Sequence, residues 1–469
     1  MTARSLILAL LIATSPAQPS VPDTQSGKVF TAWLTAFNSG DRERIRSFDE
    51  TYRREPPPVE QTLGFREQTG GFELVRVEKS DDTTLVALVK ERAGDNVARL
   101  ELTLDAGAPP KIANFGLRIV PRPPDMALPR LTESEALTAL ASRADEMSKN
   151  DQFSGAVLVA RHGKVLFERA YGRSDREAGT PNTLDTQFRI GSMNKMFTAI
   201  ATLQLVDAGK IALADPIGKH LTDYPNADVA SKVTVRHLLT HTGGTGDIFG
   251  PEFTKNRLTL REHRDYLALY GSRAPVHEPG AEHRYSNYGF VLLGALIEKV
   301  SGFSYYEYVR TKVFQPAGMT STDSLPETEK VAHRSTGYMR RNGAWVANTD
   351  TLPWRGTAAG GGYSTVGDLF RFAQALESGR LVSKKLLAEA TKPQEQQYGY
   401  GFGIQGDGAL RRYGHGGGAP GMNGDLRIYP ELGYVLVGLS NFDPPAASRL
   451  TEFFSLRMPA TASPATASR

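Results

Sequence analysis

Cysteine is absent from this chain of 469 residues, which excludes disulfide bonds and cysteine-based metal sites but leaves the cellular compartment open. Long apolar runs are absent too. The longest N-terminal run, residues 6–13, is too short to span a bilayer. The chain has little excess of positive over negative charge: its net charge is +4, and the basic residues are scattered among acidic ones. These features argue against a nucleic-acid partner and against a stable membrane span after signal removal.

Several catalytic and binding motifs are also missing. The Gly-x-Ser-x-Gly turn of α/β-hydrolases does not occur. Residues 362–366, Gly-Tyr-Ser-Thr-Val, match its first four positions but have valine in place of the last glycine. His237 and His241 lie four residues apart, but a leucine pair lies between them and no third ligand accompanies them. We therefore expect both histidines to pack and cap a helix, and we expect no metal or other cofactor. The glycine-rich segment 357–365 lacks the Gly-Lys-Ser/Thr ending of a phosphate-binding loop.

Residues 1–17 have the pattern of a secretory signal peptide. A positive charge at Arg4 precedes the short apolar run, and small residues at Ser15 and Ala17 follow it. The pattern predicts cleavage after Ala17. We therefore expect an exported protein, either periplasmic or secreted.

Residues 24–120 predict a small α+β domain. A helical face is expected at Phe30, Trp33, Leu34 and Phe37. Alternating runs at 72–77, 85–89, 100–104 and 112–120 are separated by turn residues and predict an antiparallel sheet. The opening Trp33-Leu34-Thr35-Ala36-Phe37-Asn38-Ser39-Gly40-Asp41 resembles the ketosteroid-isomerase-like cone fold over about residues 27–120. No acid–base pair is evident, so the resemblance implies a structural or binding accessory role.

The proline-rich stretch 121–130 predicts a stiff linker, and residues 131–457 predict a second domain. This domain begins with a helix to about Met147 and a hairpin formed by 155–160 and 164–168. It ends with strands at 424–429 and 434–440 and a last helix at 446–456. We expect an α+β fold in which an antiparallel sheet is flanked by helices, with a largely helical subdomain. The tail 458–469 is expected to be disordered.

A serine and a lysine lie three residues apart before an apolar run of helical spacing. These are Ser192 and Lys195, in Gly191-Ser192-Met193-Asn194-Lys195. Residues three apart share one face of a helix, so the lysine amine can reach the serine hydroxyl. The pair is a candidate nucleophile with its base. A serine in this position is also a common helix N-cap.

Two further polar clusters follow along the chain. Tyr285 and Asn287 stand on a turn before an apolar helix, where they either face a common cleft or, in the case of Asn287, cap the helix. His415, Gly416 and Gly417 precede a strand pair. Little side chain is expected around His415 for it to pack against.

The order Ser192-x-x-Lys195, Tyr285-x-Asn287 and His415-Gly416-Gly417 resembles the penicillin-recognising serine hydrolases over about residues 131–457. The related motif set is Ser-x-x-Lys, Ser-Asp-Asn and Lys-Thr-Gly. The closest branch holds class C β-lactamases, D-stereospecific peptidases and related esterases. His415 departs from the lysine of the β-lactamase pattern, which weakens the expectation of penicillin hydrolysis.

The resemblance implies a role for each residue. Ser192 would attack a carbonyl, with Lys195 or Tyr285 as the main base, and Tyr285 would pass the proton to the leaving group. Asn287, His415, Gly416 and Gly417 would bind substrate. The backbone N–H groups of Ser192 and Gly418 would hold the oxyanion.

The sequence therefore predicts a serine hydrolase that acts through an acyl-enzyme on an amide or ester carbonyl, as a D-peptidase, esterase or β-lactamase-like enzyme. Its expected substrate is a small molecule or a peptide, for example one derived from the cell wall. The alternative is a non-hydrolytic sensor that binds cell-wall peptides on the same fold. Intact Ser192, Lys195 and Tyr285 favour the enzyme.

Overall fold

The computed structural model describes residues 19–341 and 343–461. The expected signal peptide and residues 462–469 of the expected tail lie outside this part of the chain. The chain divides into two compact units, Met1–Ala127 and Leu128–Arg469. In the described residues, no helix combines the length and the apolar character that crossing a membrane requires.

The first unit consists of three helices followed by four strands. These are α1 (Gln25–Ser39), α2 (Arg42–Tyr52), α3 (Val59–Thr69), β1 (Phe72–Ser80), β2 (Thr84–Glu91), β3 (Val97–Leu104) and β4 (Ile112–Val120). The strands form an antiparallel sheet in sequence order. Phe30, Trp33 and Phe37 are buried in one cluster with the inward side chains of the sheet, as the helical spacing predicts.

The second unit is built on a six-stranded antiparallel sheet in the order β13-β14-β15-β16-β5-β6. Its strands are β5 (Gly155–Arg161), β6 (Lys164–Tyr171), β13 (Gly403–Gln405), β14 (Arg412–Ala419), β15 (Met422–Tyr429) and β16 (Tyr434–Ser440). The short strands are β7 (Arg173–Asp175), β8 (Thr180–Pro181), β9 (Phe188–Arg189), β10 (Tyr338–Arg341), β11 (Ala344–Ala347) and β12 (Tyr363–Ser364). Sheet and helices together give the expected α+β fold.

Helices occupy the rest of the second unit. The longer ones are α4 (Glu133–Lys149), α5 (Asn194–Asp207), α9 (His263–Tyr270), α10 (Asn287–Ser301), α13 (Val366–Glu377) and α15 (Ala446–Arg457). The shorter ones are α6 (Ala227–Lys232), α7 (Val235–Leu239), α8 (Pro251–Asn256), α11 (Tyr305–Val309), α12 (Gln315–Ala317) and α14 (Lys384–Ala390). A π-helical turn at Arg310–Phe314 joins α11 to α12.

Side chains alternate across β5 and fill two separate clusters. Leu158 and Ala160 point into the large cluster that contains α5, α10 and α13. Val157 and Val159 point into the cluster that contains α4 and α15. The sheet is therefore covered by helices on both faces, and the larger helical layer positions the functional residues.

The C-terminal boundary differs from the expected one. Met458 falls within the expected disordered tail, yet it is fully buried in the cluster formed with α4 and α15. Its N–H donates to Phe454 O at 2.8 Å, which continues the last turn of α15. The apolar methionine side chain keeps this residue in the fold.

Candidate active site

Ser192 lies in a tight turn directly before α5. Gly191 has φ +53°, a backbone conformation that glycine adopts at little cost, and residues Gly191–Met193 form a 3₁₀ turn that leads into the helix. Neither the turn nor α5 has a side-chain N-cap hydrogen bond. Ser192 is therefore not an N-cap, and its hydroxyl is free to bond Lys195.

Lys195 lies on the first turn of α5 and is completely buried. Its Nζ lies 3.2 Å from Ser192 Oγ and 2.8 Å from Asn287 Oδ1, and it also contacts Ala359 O. A neutral amine has two N–H donors and one lone pair. Because Asn287 Oδ1 and Ala359 O only accept, they take both N–H groups, and the lone pair is left facing the serine hydroxyl.

Burial lowers the pKa of Lys195 to about 7, while the nearby Asp247 carboxylate acts in the opposite direction. A substantial fraction of the amine is therefore neutral at physiological pH, which a general base requires. The amine also lies 4.7 Å from the centre of the Tyr285 ring and 5.5 Å from that of Phe290.

Tyr285 stands at the mouth of the site and is 40 % exposed. Burial around its hydroxyl raises its pKa far above 10, and the nearby Ser192 hydroxyl acts in the opposite direction. The phenol is therefore protonated across the physiological range. This state suits Tyr285 to donating a proton, whereas the lowered pKa of Lys195 suits its amine to accepting one.

Asn287 is the first residue of α10, and its neighbour Ser286 caps the helix by accepting Gly289 N–H at 2.9 Å. The alternative of Asn287 as the cap is thus wrong. The Asn287 amide bridges two groups: Oδ1 accepts from Lys195, and Nδ2 donates to Asp247 Oδ2 at 3.2 Å. Asn287 therefore holds the Lys195 amine in place, and its binding to substrate stays a prediction.

The glycines of β14 allow this strand to lie against the nucleophile turn. A Cβ on Gly417 would lie 1.9 Å from Ile190 O, and a Cβ on Gly191 would lie 3.1 Å from Gly418 N. The backbone of Gly418 is thus beside the turn that carries Ser192. The oxyanion role of the Ser192 and Gly418 N–H groups stays a prediction. Gly416 and Gly418 are exposed, whereas Gly417 is buried.

His415 is not as bare as the glycine-rich sequence suggested. Its Nε2 lies 3.0 Å from the hydroxyl of Tyr398, whose ring packs edge-on at 5.8 Å between centroids. The ring of Tyr285 lies 6.4 Å away. The structure thus brings Ser192, Lys195, Tyr285 and His415 around one site.

Besides Tyr398, sequence reasoning missed three groups at this site. Asp247 accepts the backbone N–H of Asn287 at 3.1 Å, Ala359 supplies the carbonyl that binds Lys195, and His241 packs on Tyr285 with ring centroids 4.2 Å apart. Each lies 40 or more residues along the chain from its partner, so no local spacing pointed to these contacts.

The two histidines considered as metal ligands have structural contacts. His237 lies in α7, and its Nδ1 accepts Thr234 N–H at 3.3 Å. His241 accepts Ser286 N–H at 3.1 Å through Nδ1. Within residues 19–341 and 343–461, no group of three His, Asp or Glu side chains is arranged to hold a metal ion.

Known proteins resemble this chain over most of its second unit. The family profile described as "Beta-lactamase" matches residues 140–456. The esterase EstB of Burkholderia gladioli is 36 % identical over 189 residues, which cover 37 % of this chain and 48 % of the esterase. A penicillin-binding protein from Bacillus halodurans superposes with a TM-score of 0.62 and 31 % identity, covering 67 % of this chain and 98 % of that one.

A D-stereospecific amidohydrolase from Streptomyces sp. superposes with a TM-score of 0.57 and 31 % identity, covering 67 % of this chain and 97 % of that one. The chain belongs to the β-lactamase family, and it is a serine hydrolase. The profile match begins at residue 140, so the likeness of residues 27–120 to the ketosteroid-isomerase-like cone stays a prediction.

Proposed function

We propose that this enzyme cleaves an amide or ester of a small molecule or peptide through an acyl-enzyme on Ser192, with Lys195 as the general base. The observation that carries the proposal is the environment of the Lys195 amine. Two fixed acceptors occupy both N–H groups of the neutral amine, so in this form its lone pair faces Ser192 Oγ, which lies 3.2 Å from Nζ. A serine hydroxyl needs such a base to become nucleophilic.

The proposed steps follow from this geometry. Ser192 Oγ bonds to the carbonyl carbon as its proton moves to Lys195 Nζ, and the oxyanion is held by the N–H groups of Ser192 and Gly418. Collapse of this intermediate breaks the scissile bond, and the leaving group takes the proton of Tyr285, which regains one from Lys195. Water then cleaves the acyl-enzyme by the same route. One oxyanion donor is worth about 3–4 kcal/mol of transition-state stabilisation.

The remaining assignments extend the same proposal. The pattern of residues 1–17 supports export, and the two compact units support an accessory domain followed by a hydrolase domain. The first unit would then have a structural or binding role. A cell-wall origin of the substrate accords with the penicillin-binding relatives.

Labelling with a fluorophosphonate probe tests the enzyme against the sensor alternative. We expect the wild type to be labelled and Ser192→Ala to be unlabelled, with the adduct located at Ser192 by peptide mass spectrometry. A folded wild type that binds cell-wall peptides but neither reacts with the probe nor turns over any ester or amide would support the sensor.

A further inference from the structure

Both ring nitrogens of His415 are used inside the protein. The carbonyl oxygen of Gly416 lies 2.5 Å from Nδ1 and can only accept, so Nδ1 carries the proton. Nε2 is then the acceptor for the Tyr398 hydroxyl at 3.0 Å. Tyr398 is buried, which raises its pKa well above 10 and keeps this hydroxyl protonated.

This tautomer leaves His415 without charge and without an N–H for a substrate. Burial and the neighbouring Lys195 lower the pKa of His415 to about 4, so the ring stays neutral at physiological pH. A neutral ring whose nitrogens already have partners is a poor receptor for a carboxylate.

The part of β14 that follows His415 offers only backbone groups to a substrate. Gly416 is exposed and has no side chain, and a Cβ placed on it would come no nearer than 3.6 Å to another atom. Position 416 therefore has room for a side chain with a hydroxyl that could bind an anion, but glycine supplies none. A substrate lying along this edge meets N–H and C=O groups, which pair with an amide or ester as readily as with an acid.

The cationic side chains within the site, Lys195 and Arg273, already bond to other groups of the protein. Lys195 is fully buried and bonded to internal oxygens. Arg273 donates to the carbonyl oxygens of Asp247 at 2.7 Å and of Tyr270 at 3.2 Å. Every nitrogen of the Arg273 guanidinium and the Lys195 amine thus already bonds to an oxygen inside the protein, which weakens their pairing with a substrate anion.

Arg284 is a further cation beside the site. It is exposed on the rim of a cavity of about 160 Å³ that Asp247 and Tyr285 also line. Arg273 lines the same cavity, so a substrate carboxylate entering it meets two guanidinium groups and also the like charge of Asp247, which offsets part of their attraction.

We propose, building on the acyl-enzyme function above, that this site selects esters and amides that carry no carboxylate beside the scissile bond. The third motif, His415-Gly416-Gly417, then serves as a backbone edge rather than as an anion receptor. Neutral esters and amidated D-peptides fit this description, whereas penicillins and D-peptides with a free C-terminus do not.

Matched substrate pairs on the full-length enzyme test the proposal. One pair is N-acetyl-D-alanyl-D-alaninamide against N-acetyl-D-alanyl-D-alanine, and the other is 3-carbamoylphenyl acetate against 3-carboxyphenyl acetate. At pH 8 we expect kcat/KM to favour the neutral member by about tenfold or more, the size of one charge-assisted hydrogen bond. His415→Lys adds an ammonium and should reduce the preference by a similar factor.

A wild-type enzyme that favours the carboxylate members would overturn the proposal, and loss of that preference in Arg284→Gln would identify Arg284 as the receptor. The wild-type ratios decide the question even where His415→Lys does not fold. A different result would contradict the acyl-enzyme function on which this proposal rests: Ser192→Ala would then hydrolyse both members of each pair as fast as the wild type.

Discussion

His241 holds the backbone on both sides of Tyr285. Its carbonyl oxygen accepts Arg284 N–H at 2.9 Å, its Nδ1 accepts Ser286 N–H at 3.1 Å, and its ring packs on the phenol at 4.2 Å between centroids. His241 achieves this with φ +58°, a conformation that histidine seldom adopts. Strain of this kind persists where the surrounding structure enforces it, often at functional sites.

Replacing His241 should therefore impair turnover through Tyr285. We expect His241→Ala to lower kcat by on the order of 100-fold, the cost of a displaced catalytic group, with little change in KM. His241→Asn should recover part of the loss, because asparagine tolerates positive φ and offers an acceptor. The matched control is His237→Ala, four residues away, which should leave kcat near the wild-type value. Equal losses of thermal stability and activity in all three variants would contradict this role.

Removing the amine of Lys195 should abolish acylation while the fold persists. We expect Lys195→Ala to slow the burst of a p-nitrophenyl ester by several orders of magnitude, because the Ser192 proton loses its acceptor. Circular dichroism and the melting temperature report the fold. Lys210→Ala, at an exposed lysine beyond the end of α5, is the control and should acylate normally. Near-normal acylation by Lys195→Ala would remove lysine from the base role.

The pH dependence of kcat/KM should show the titration of Lys195. Burial lowers its pKa to about 7, so the neutral amine and the rate should rise as pH increases through about 7. The Asp247 carboxylate raises this pKa. Asp247→Asn should therefore move the acidic limb to lower pH, as measured from pH 5 to 9. An unchanged limb would mean that another group controls the rate.

Adjacent glycines of the third motif should respond differently to alanine. A Cβ on Gly417 would collide with Ile190 O, whereas the space beside Gly416 is open. We expect Gly417→Ala to destabilise the protein by about 1–3 kcal/mol and to displace β14 from Ser192, with a large loss of kcat/KM. Gly416→Ala should keep its melting temperature. Equal melting temperatures for the two variants would refute the close approach of the strand.

Deleting the first unit should leave an active hydrolase. The apolar cluster of residues 29–104 belongs to the first unit, and the clusters around the six-stranded sheet belong to the second. Because each unit has its own core, a chain that begins at Leu128 should fold and hydrolyse p-nitrophenyl acetate at a rate within about twofold of the full-length enzyme. An insoluble or inactive product would show that the second unit depends on the first.

Local patterns explain how much could be predicted from the sequence. The spacing of Ser192 and Lys195 is a property of one helix turn, and the strands that form the hairpins alternate visibly. Contacts between distant segments leave no such pattern. Ala359 binds Lys195 across 164 residues of chain, and through a carbonyl that every residue type possesses. Tyr398 and Asp247 were missed for the same reason, since their neighbours are fixed by packing alone.

The buried amine also ties folding to proton release. In the unfolded chain Lys195 keeps its proton up to about pH 10.5, whereas in the folded enzyme it loses that proton near pH 7. Between these values the unfolded state carries the extra proton, so acid favours unfolding and stability climbs as the solution becomes more alkaline. The same burial that makes the amine reactive thus makes the native state less robust in neutral and mildly acidic surroundings.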